Sequence, residues 1–397
     1  MYKRTIFTAL EQHLSQAQAT VITGMRRVGK TTALRFLLDK VTHQNKIYLD
    51  FEKIENRVLF SQNRYQAIEE GLKALGIRLN EPAVMALDEI QLVPNTPSVV
   101  KYLYDTYRIK FILTGSSSYY LKNHFTESLA GRKRIFELFP LGFNEFLLFK
   151  GFEQAQFIDL ACRPFSEPIY HIFKQHYEQF LQFGGFPEVV LSETNEDKIA
   201  FLKDIINAYI ELDIKLLSDF KVSNDLYRLC QLLASHTGNR IDVSKLSSVS
   251  GINRSKLNEY LTLFEYTYFV HTVPAFTKNK DKEISGQRKL YLADTGMLQV
   301  LAQVSSGQVF ENAIALQLRN VGDLAYYQKK SGQEIDFILN KTVAIEVKET
   351  PSYPDLKTLR YRAEDITLPQ HWLVGRHFVN DSFRDWYWGG TIFVAPI

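Results

Sequence analysis

Residues 24–31 read GMRRVGKT, set between the apolar run Ala19–Thr23 and an apolar-periodic stretch that begins at Lys30. Few segments of this length restrict a fold so strongly. The spacing GxxxxGK[ST] requires a strand before it and a helix after it. Its glycines let backbone N–H groups curl around phosphate oxygens, and the helix N-terminus adds partial positive charge. Both flanks are present, so the chain is read as α/β from Thr20 to about Phe149. The runs ATVITG, KIYLDF, AVMALD and KFILTG are its buried parallel strands, each ending in a small or acidic residue before a loop.

The nucleotide chemistry follows from that loop. Lys30 is placed to reach the β- and γ-phosphates of ATP and Thr31 to hold Mg²⁺; Gly24, Arg27, Gly29 and Thr32 complete the binding loop. Asp88 ends the strand AVMALD, where a carboxylate holds the magnesium shell, and Glu89 is positioned to orient the attacking water. Thr114 and Ser116 end the next strand. Either hydroxyl could touch the γ-phosphate or the water, and a helix N-cap is the competing role. Downstream, Arg132 and Arg134 are candidates for an arginine finger, which would stabilise transition-state charge and imply a homo-oligomer if supplied in trans.

These segments together resemble a large group of prokaryotic AAA-type ATPases with a C-terminal region long described as a domain of unknown function. The resemblance rests on GMRRVGKT, ALDEIQ, LTGSSS, LAGR followed by FPLGFNEF, GGFPEVV, KLYLADTGML, VFENAIA and QEIDFIL with AIEVK, in that order. It implies an ATPase core similar to origin-recognition and STAND-type proteins, then a winged helix, then a nuclease-like fold. The expected division is 1–160 for the ATPase domain, 161–220 for a helical lid, 221–304 for the winged helix-turn-helix and 305–397 for the nuclease-like domain.

The middle segment has its own pattern. Val243, Leu246 and Val249 are expected on one helix face, Gly251 at the turn, and Leu257, Leu261 and Phe264 on the next helix. VHTVPAF and KLYLAD are the expected wing strands around a polar loop. From Lys221 to Leu290 there are eleven Lys/Arg against six Asp/Glu, a local excess of five. Asn253, Arg254, Ser255 and Lys256 open the second helix, where contacts to DNA would be made. Packing or protein interaction is the rival use of such a module.

Near the C-terminus, QEIDFILNKTVAIEVKET puts carboxylates and a lysine on two short apolar runs. Residues two apart on a strand share a face, so Glu334 lies beside Asp336 and Glu346 beside Lys348. If the runs pair as a hairpin, Asp336 and Glu346 can share a divalent metal, Mg²⁺ or Mn²⁺, while Lys348 stabilises charge growing on a phosphate. Glu311, on the preceding helix, is a further candidate ligand. This arrangement resembles the PD-(D/E)xK nuclease superfamily at Asp336, Glu346 and Lys348, departing from it at Ile335, where the motif's proline would stand. The alternative is a nucleotide-dependent switch or scaffold whose C-terminal domain only binds DNA or protein.

Composition excludes several other classes. The 397 residues are enough for two to four domains, and 45% hydrophobic content is ample for packed cores. A net charge of +3 gives no field that selects a partner. Glu11 and His13 interrupt the N-terminal segment, which argues against a signal peptide, and no apolar run is long enough to span a membrane. Cys162 and Cys230 lack CxxC partners and are read as apolar residues of a reducing cytoplasm rather than zinc ligands.

Overall fold

The computed structural model describes residues 2–116, 131–153, 167–214, 223–277, 286–329, 332–379 and 383–391. Cys162, Leu217 and the wing loop at 278–285 lie outside them. Two compact units divide the chain: Lys3–Phe139 with Tyr266–Tyr268, and Pro140–Glu265 with Phe269–Ile397. No helix among the described residues is long and apolar enough to cross a membrane.

The first unit is built on a parallel sheet. Its strands are β1 (Ala19–Thr23), β2 (Lys46–Asp50), β3 (Ala83–Asp88), β4 (Ile109–Gly115) and β5 (Lys133–Glu137), in the order β2-β3-β4-β1-β5. All four expected runs are strands. In β1, β3 and β4, Val21, Met85, Phe111 and Leu113 have no exposed surface, and each such side chain contributes about 1.5–3 kcal/mol by leaving water. β5 was not expected, because Lys133, Arg134 and Glu137 give it a polar look and only Phe136 is buried. That is how an edge strand reads, since charge there discourages pairing with another chain. Because every pair is parallel, the strand C-termini and the loops after them gather along one edge, where ligands of open α/β sheets bind.

The second unit begins with helices Phe143–Phe149, Glu167–Phe183, Pro187–Leu191 and Asn195–Ala208. Three more follow, Ser223–Ser235, Val243–Ser250 and Arg254–Tyr266. An antiparallel pair comes next, β6 (Val270–Val273) with β7 (Lys289–Leu292). Helices Thr295–Leu301 and Ser306–Arg319 lead to a mixed sheet. Its strands are β8 (Leu324–Gln328), β9 (Glu334–Leu339), β10 (Val343–Lys348), β11 (Gln370–Gly375) and β12 (Tyr387–Trp388), in the order β12-β11-β10-β9-β8. The helix Tyr353–Asp365 makes the crossover between the parallel strands β10 and β11.

Two of the sequence motifs turn out to hold each other. Gly184 has φ +75°, and a Cβ there would lie 2.0 Å from Asp294 Oδ1. Gly185 donates its N–H to Asp294 Oδ2 at 2.7 Å, and Met297 donates to Oδ1 at 3.1 Å. Asp294 thus caps the helix Thr295–Leu301 and ties the GGFP turn to it. Replacing Asp294 with alanine leaves two buried N–H groups unsatisfied, so a loss of about 2–4 kcal/mol is expected in urea denaturation. A loss below about 0.5 kcal/mol, the range of an ordinary surface change, would mean that the tie is not structural. Burial also pushes the Asp294 carboxyl up to about 6. The folded state therefore holds this proton more tightly than the unfolded chain, whose carboxyl titrates near about 3.9. The stability contributed by this one group is accordingly greatest below about pH 4 and falls by about 2–3 kcal/mol as pH rises from about 4 to about 6. The alanine variant should lack that slope.

Candidate functional site

In the first unit the phosphate loop leaves β1 at Gly24 and enters the helix Lys30–Lys40. Leu138 donates its N–H to Thr23 O at 2.7 Å, and its own carbonyl lies where a Cβ on Gly24 would stand, 2.0 Å away. No larger residue fits there. Gly29 caps the helix at φ +99°, a conformation that costs a side-chain-bearing residue strain. Arg27 accepts that strain at φ +65°. Lys30 is buried, and its Nζ donates to Met25 O at 3.0 Å, so the ammonium folds back across the loop rather than out to solvent. Thr31 is half-buried at the first turn and Thr32 is exposed. Arg4, absent from the sequence reading, donates to Val28 O at 3.0 Å and to Phe139 O at 2.9 Å. It fixes the loop from behind.

The acidic pair stands at the same sheet edge. Asp88 is 2% exposed; one carboxylate oxygen accepts from Thr114 Oγ1 and the other from Tyr48 OH at 2.9 Å. Burial, with Asp88 beside it, pushes the Tyr48 hydroxyl up to about 12. Glu89 takes a left-handed backbone, φ +55°, and donates its N–H to Thr114 Oγ1 at 3.1 Å. Its carboxylate accepts from Gln91 Nε2, which also donates to Ser116 Oγ at 3.1 Å. Thr114 is therefore engaged with Asp88 and Glu89, and Ser116 reaches Glu89 through Gln91. The N-cap alternative concerns residues after Ser116 that lie outside the described ones. Tyr48 and Gln91 carry no sequence signal, since only the fold brings them to this edge.

The arginines stand elsewhere. Arg132 immediately precedes β5, whose Lys133 pairs with Ala19 at the opposite end of β1 from the loop. At about 3.3 Å per strand residue that separation is roughly 15 Å. Arg132 instead pairs with Asp105 at 3.0 Å, and Arg134 lies 5.1 Å over the Phe136 ring. Within one chain neither reaches the loop, so a finger role requires a second copy.

Residues 16–147 match the family described as an AAA domain. The first unit carries an AAA-type P-loop ATPase domain. Residues 174–308 and 306–395 match two domains of unknown function, DUF8612 and DUF4143. An uncharacterized protein of Methanocaldococcus jannaschii is 28% identical over 378 residues, covering 90% of this chain and 82% of that protein. One of Haemophilus influenzae is 26% identical over 358 residues, 84% of each. Among solved structures, the ADP form of the Aeropyrum pernix ORC2 protein has a TM-score of 0.37 at 14% identity, covering 76% of this chain and 93% of that one. The A. pernix ORC1 protein in complex with DNA gives 0.33 at 12% identity, covering 76% and 92%. Likenesses this low carry no weight here; the ATPase assignment rests on the family match and on the loop.

In the second unit, β9 and β10 pair antiparallel from Val343↔Leu339 to Ile345↔Phe337, which sets Asp336 opposite Glu346 at the next position. Val347 donates its N–H to Asp336 Oδ2 at 2.8 Å. Lys348 Nζ lies 2.8 Å from Glu346 Oε1, and Arg362 Nη1 lies 3.7 Å from the same oxygen. Glu346 is 7% exposed, and its Oε2 has no hydrogen-bond partner among the described residues. Burial and the neighbouring Asp336 push the Glu346 carboxyl up to about 7, and burial raises Asp336 as well. The expected convergence of Asp336, Glu346 and Lys348 is present.

Glu311 accepts from Tyr291 OH at 2.7 Å and pairs with Lys289 Nζ at 3.4 Å. Among the described residues no group of three or more His, Cys, Asp or Glu is arranged to hold a metal. Any cation here would rest on Asp336 and Glu346, and the orphaned Glu346 oxygen suits one.

The helical module also differs in detail. Leu246, Leu257 and Phe264 are buried, but Val249 is 63% exposed. Successive steps of three lag the 3.6-residue period by 60° each, which rotates Val249 off the packed face. Asn253 Oδ1 accepts the Lys256 N–H at 2.9 Å, so it caps the helix while remaining exposed. Arg254 and Ser255 are exposed. Lys256 pairs with Glu259 at 3.0 Å.

Proposed function

We propose that this protein binds ATP with Mg²⁺ at residues 24–32, hydrolyses it, and uses the cycle on DNA held by its second unit. The observation that carries this reading is the Asp88–Glu89 pair, fixed by Tyr48, Thr114 and Gln91 at the sheet edge that bears the phosphate loop. Gly24, Arg27 and Gly29 shape the loop, and Lys30 exchanges the Met25 carbonyl for the β- and γ-phosphates. Thr31 and Asp88 would hold the magnesium, which neutralises phosphate charge when bound. Glu89 takes the proton of the attacking water, and Gln91 Nε2 holds its carboxylate while also donating to Ser116 Oγ. The test is steady-state ATP hydrolysis with and without duplex DNA. Turnover stimulated by DNA supports the coupled reading; a rate equal to the buffer blank overturns it.

The three helices Ser223–Ser235, Val243–Ser250 and Arg254–Tyr266, followed by the β6–β7 pair, have the element order of a winged helix, and we read Arg254 and Lys256 as its phosphate contacts. Replacing both with alanine is expected to weaken duplex binding and to shallow the slope of log K against log salt by about 0.9 per lost contact. Unchanged affinity and slope would leave the module to packing.

For the C-terminal sheet we read Asp336 and Glu346 as holders of one divalent cation, which would activate water when bound, with Lys348 facing the phosphate charge. A second reading, a switch or scaffold whose sheet only binds DNA or protein, is favoured by one observation. Lys348 is closed onto Glu346 at 2.8 Å, as in a structural ion pair.

A further inference from the structure

Three residues are set apart from the chain on either side of them. Tyr266–Tyr268 belong to the first compact unit, whereas Glu265 before them and Phe269 after them belong to the second. Tyr266 is also the last residue of the helix Arg254–Tyr266. Phe269 returns at once to the second unit, stacked on Tyr209 with ring centroids 4.9 Å apart. Tyr268 itself is 3% exposed and takes φ +65°. A bulky side chain keeps that backbone only where its surroundings impose it, and such strain collects at sites that use it.

What surrounds it is the end of β5. The Tyr268 hydroxyl donates to Glu137 Oε1 at 2.9 Å, and its ring meets the Phe139 ring edge-on with centroids 5.8 Å apart. Between those two residues stands Leu138, whose backbone shapes the phosphate loop. Glu137 is paired with Thr23 in the sheet. Leu138 donates its N–H to Thr23 O at 2.7 Å, and Leu138 O fills the space that a Cβ on Gly24 would need. Phe139 O accepts from Arg4, which also donates to Val28 O within the loop. Tyr268 therefore grips both neighbours of the residue against which the first glycine of the loop rests. Packed interiors transmit displacement instead of absorbing it, so a shift at Leu138 is felt at Gly24.

We infer that Tyr268 is a positioning residue for the phosphate loop, setting Leu138 against Gly24 through the Glu137 hydrogen bond and the Phe139 edge. This rests on reading residues 24–32 as the ATP site, and it names what sets the shape of that site. Tyr268 touches neither the loop nor the reacting atoms. It acts through Leu138, and it comes from a stretch of chain more than a hundred residues beyond the rest of the first unit.

The test uses the full-length chain and two readouts. Without nucleotide, hydrogen–deuterium exchange is followed in the loop, residues 24–31, with β3 as the internal reference. Tyr268→Phe and Glu137→Ala should each speed loop exchange by about 2- to 30-fold, the span of couplings carried through packed neighbours, and leave β3 unchanged. Affinity for a fluorescent ATP analogue should fall over the same range. Glu137→Gln, which keeps an acceptor oxygen, should restore both values, and the double variant should be no worse than either single one because both remove the same bond. Exchange and affinity equal to wild type in both single variants would overturn the inference. So would additive losses in the double variant, or exchange that rises equally in β3. If wild type binds no nucleotide, the ATP reading fails and exchange alone decides: a faster loop upholds Tyr268 as its positioner, and an unchanged one rejects it. If Tyr268→Phe does not fold, Glu137→Ala, altered at an exposed edge residue, makes the same comparison.

Discussion

Lys30→Ala is expected to lose ATP binding by about 10- to 150-fold, the range for removing a hydrogen bond to a charged group at 1.5–3 kcal/mol, without unfolding the chain. The fold should survive because alanine suits the first turn of a helix, where Lys30 stands. Glu89→Gln should behave in the opposite way. It keeps the shape and the Gln91 contact, so nucleotide affinity is expected to match wild type, while hydrolysis falls by about 10²–10⁴-fold with the loss of the base. Equilibrium binding of a fluorescent nucleotide and steady-state phosphate release separate the two. Wild-type turnover by Glu89→Gln would remove that residue from the chemistry. A mixture adds the oligomer question: if Arg132 acts in trans, Arg132→Ala and Lys30→Ala proteins together should recover activity that neither shows alone. No recovery, with a monomer at every concentration in sedimentation, would return Arg132 to its Asp105 ion pair.

The parts of this molecule that were legible in the sequence share a physical cause. β1, β3 and β4 are buried on both faces, so each reads as an apolar run, and the functional residues Lys30, Asp88 and Glu89 stand at or just after the ends of such runs. The hairpin of β9 and β10 was legible for the same reason, because Asp336 and Glu346 interrupt an otherwise apolar alternation. What was not legible depends on neighbours distant in sequence. Tyr48 is an ordinary strand tyrosine until the sheet order sets β2 beside β3 and aims its hydroxyl at Asp88. Arg4 precedes the first helix and gives no sign of a partner 24 residues on. Lys289 opens the strand run KLYLAD and gives no sign in the sequence that its ammonium is buried. Asp294 and Gly185 were both noted as motif residues, but only their contact at 2.7 Å says what each is for.

The sharpest expected result at the C-terminal sheet is a split between variants that touch the same ion pair. Asp336→Ala and Glu346→Ala should each abolish manganese binding, because each removes one of only two carboxylates available to the ion, while ATP hydrolysis in the first unit persists. Lys348→Ala should keep manganese bound, since an ammonium is not a ligand and its removal frees Glu346 Oε1, now held at 2.8 Å. Any phosphodiester cleavage should nevertheless vanish with it, because the charge that grows on the phosphate loses its stabiliser. A structural salt bridge predicts a different pattern. Glu346→Ala and Lys348→Ala would then cost similar stability, wild type would bind no manganese, and no variant would alter cleavage. Calorimetric titration of wild type and the three variants, paired with cleavage of single-stranded, duplex and branched DNA, distinguishes these outcomes. Manganese bound by wild type without cleavage of any of these, with or without ATP, would retain the cation site and reject the nuclease. Absence of binding in wild type would leave the sheet as a docking surface for DNA or protein, with Glu346 held near neutrality by burial rather than by a metal.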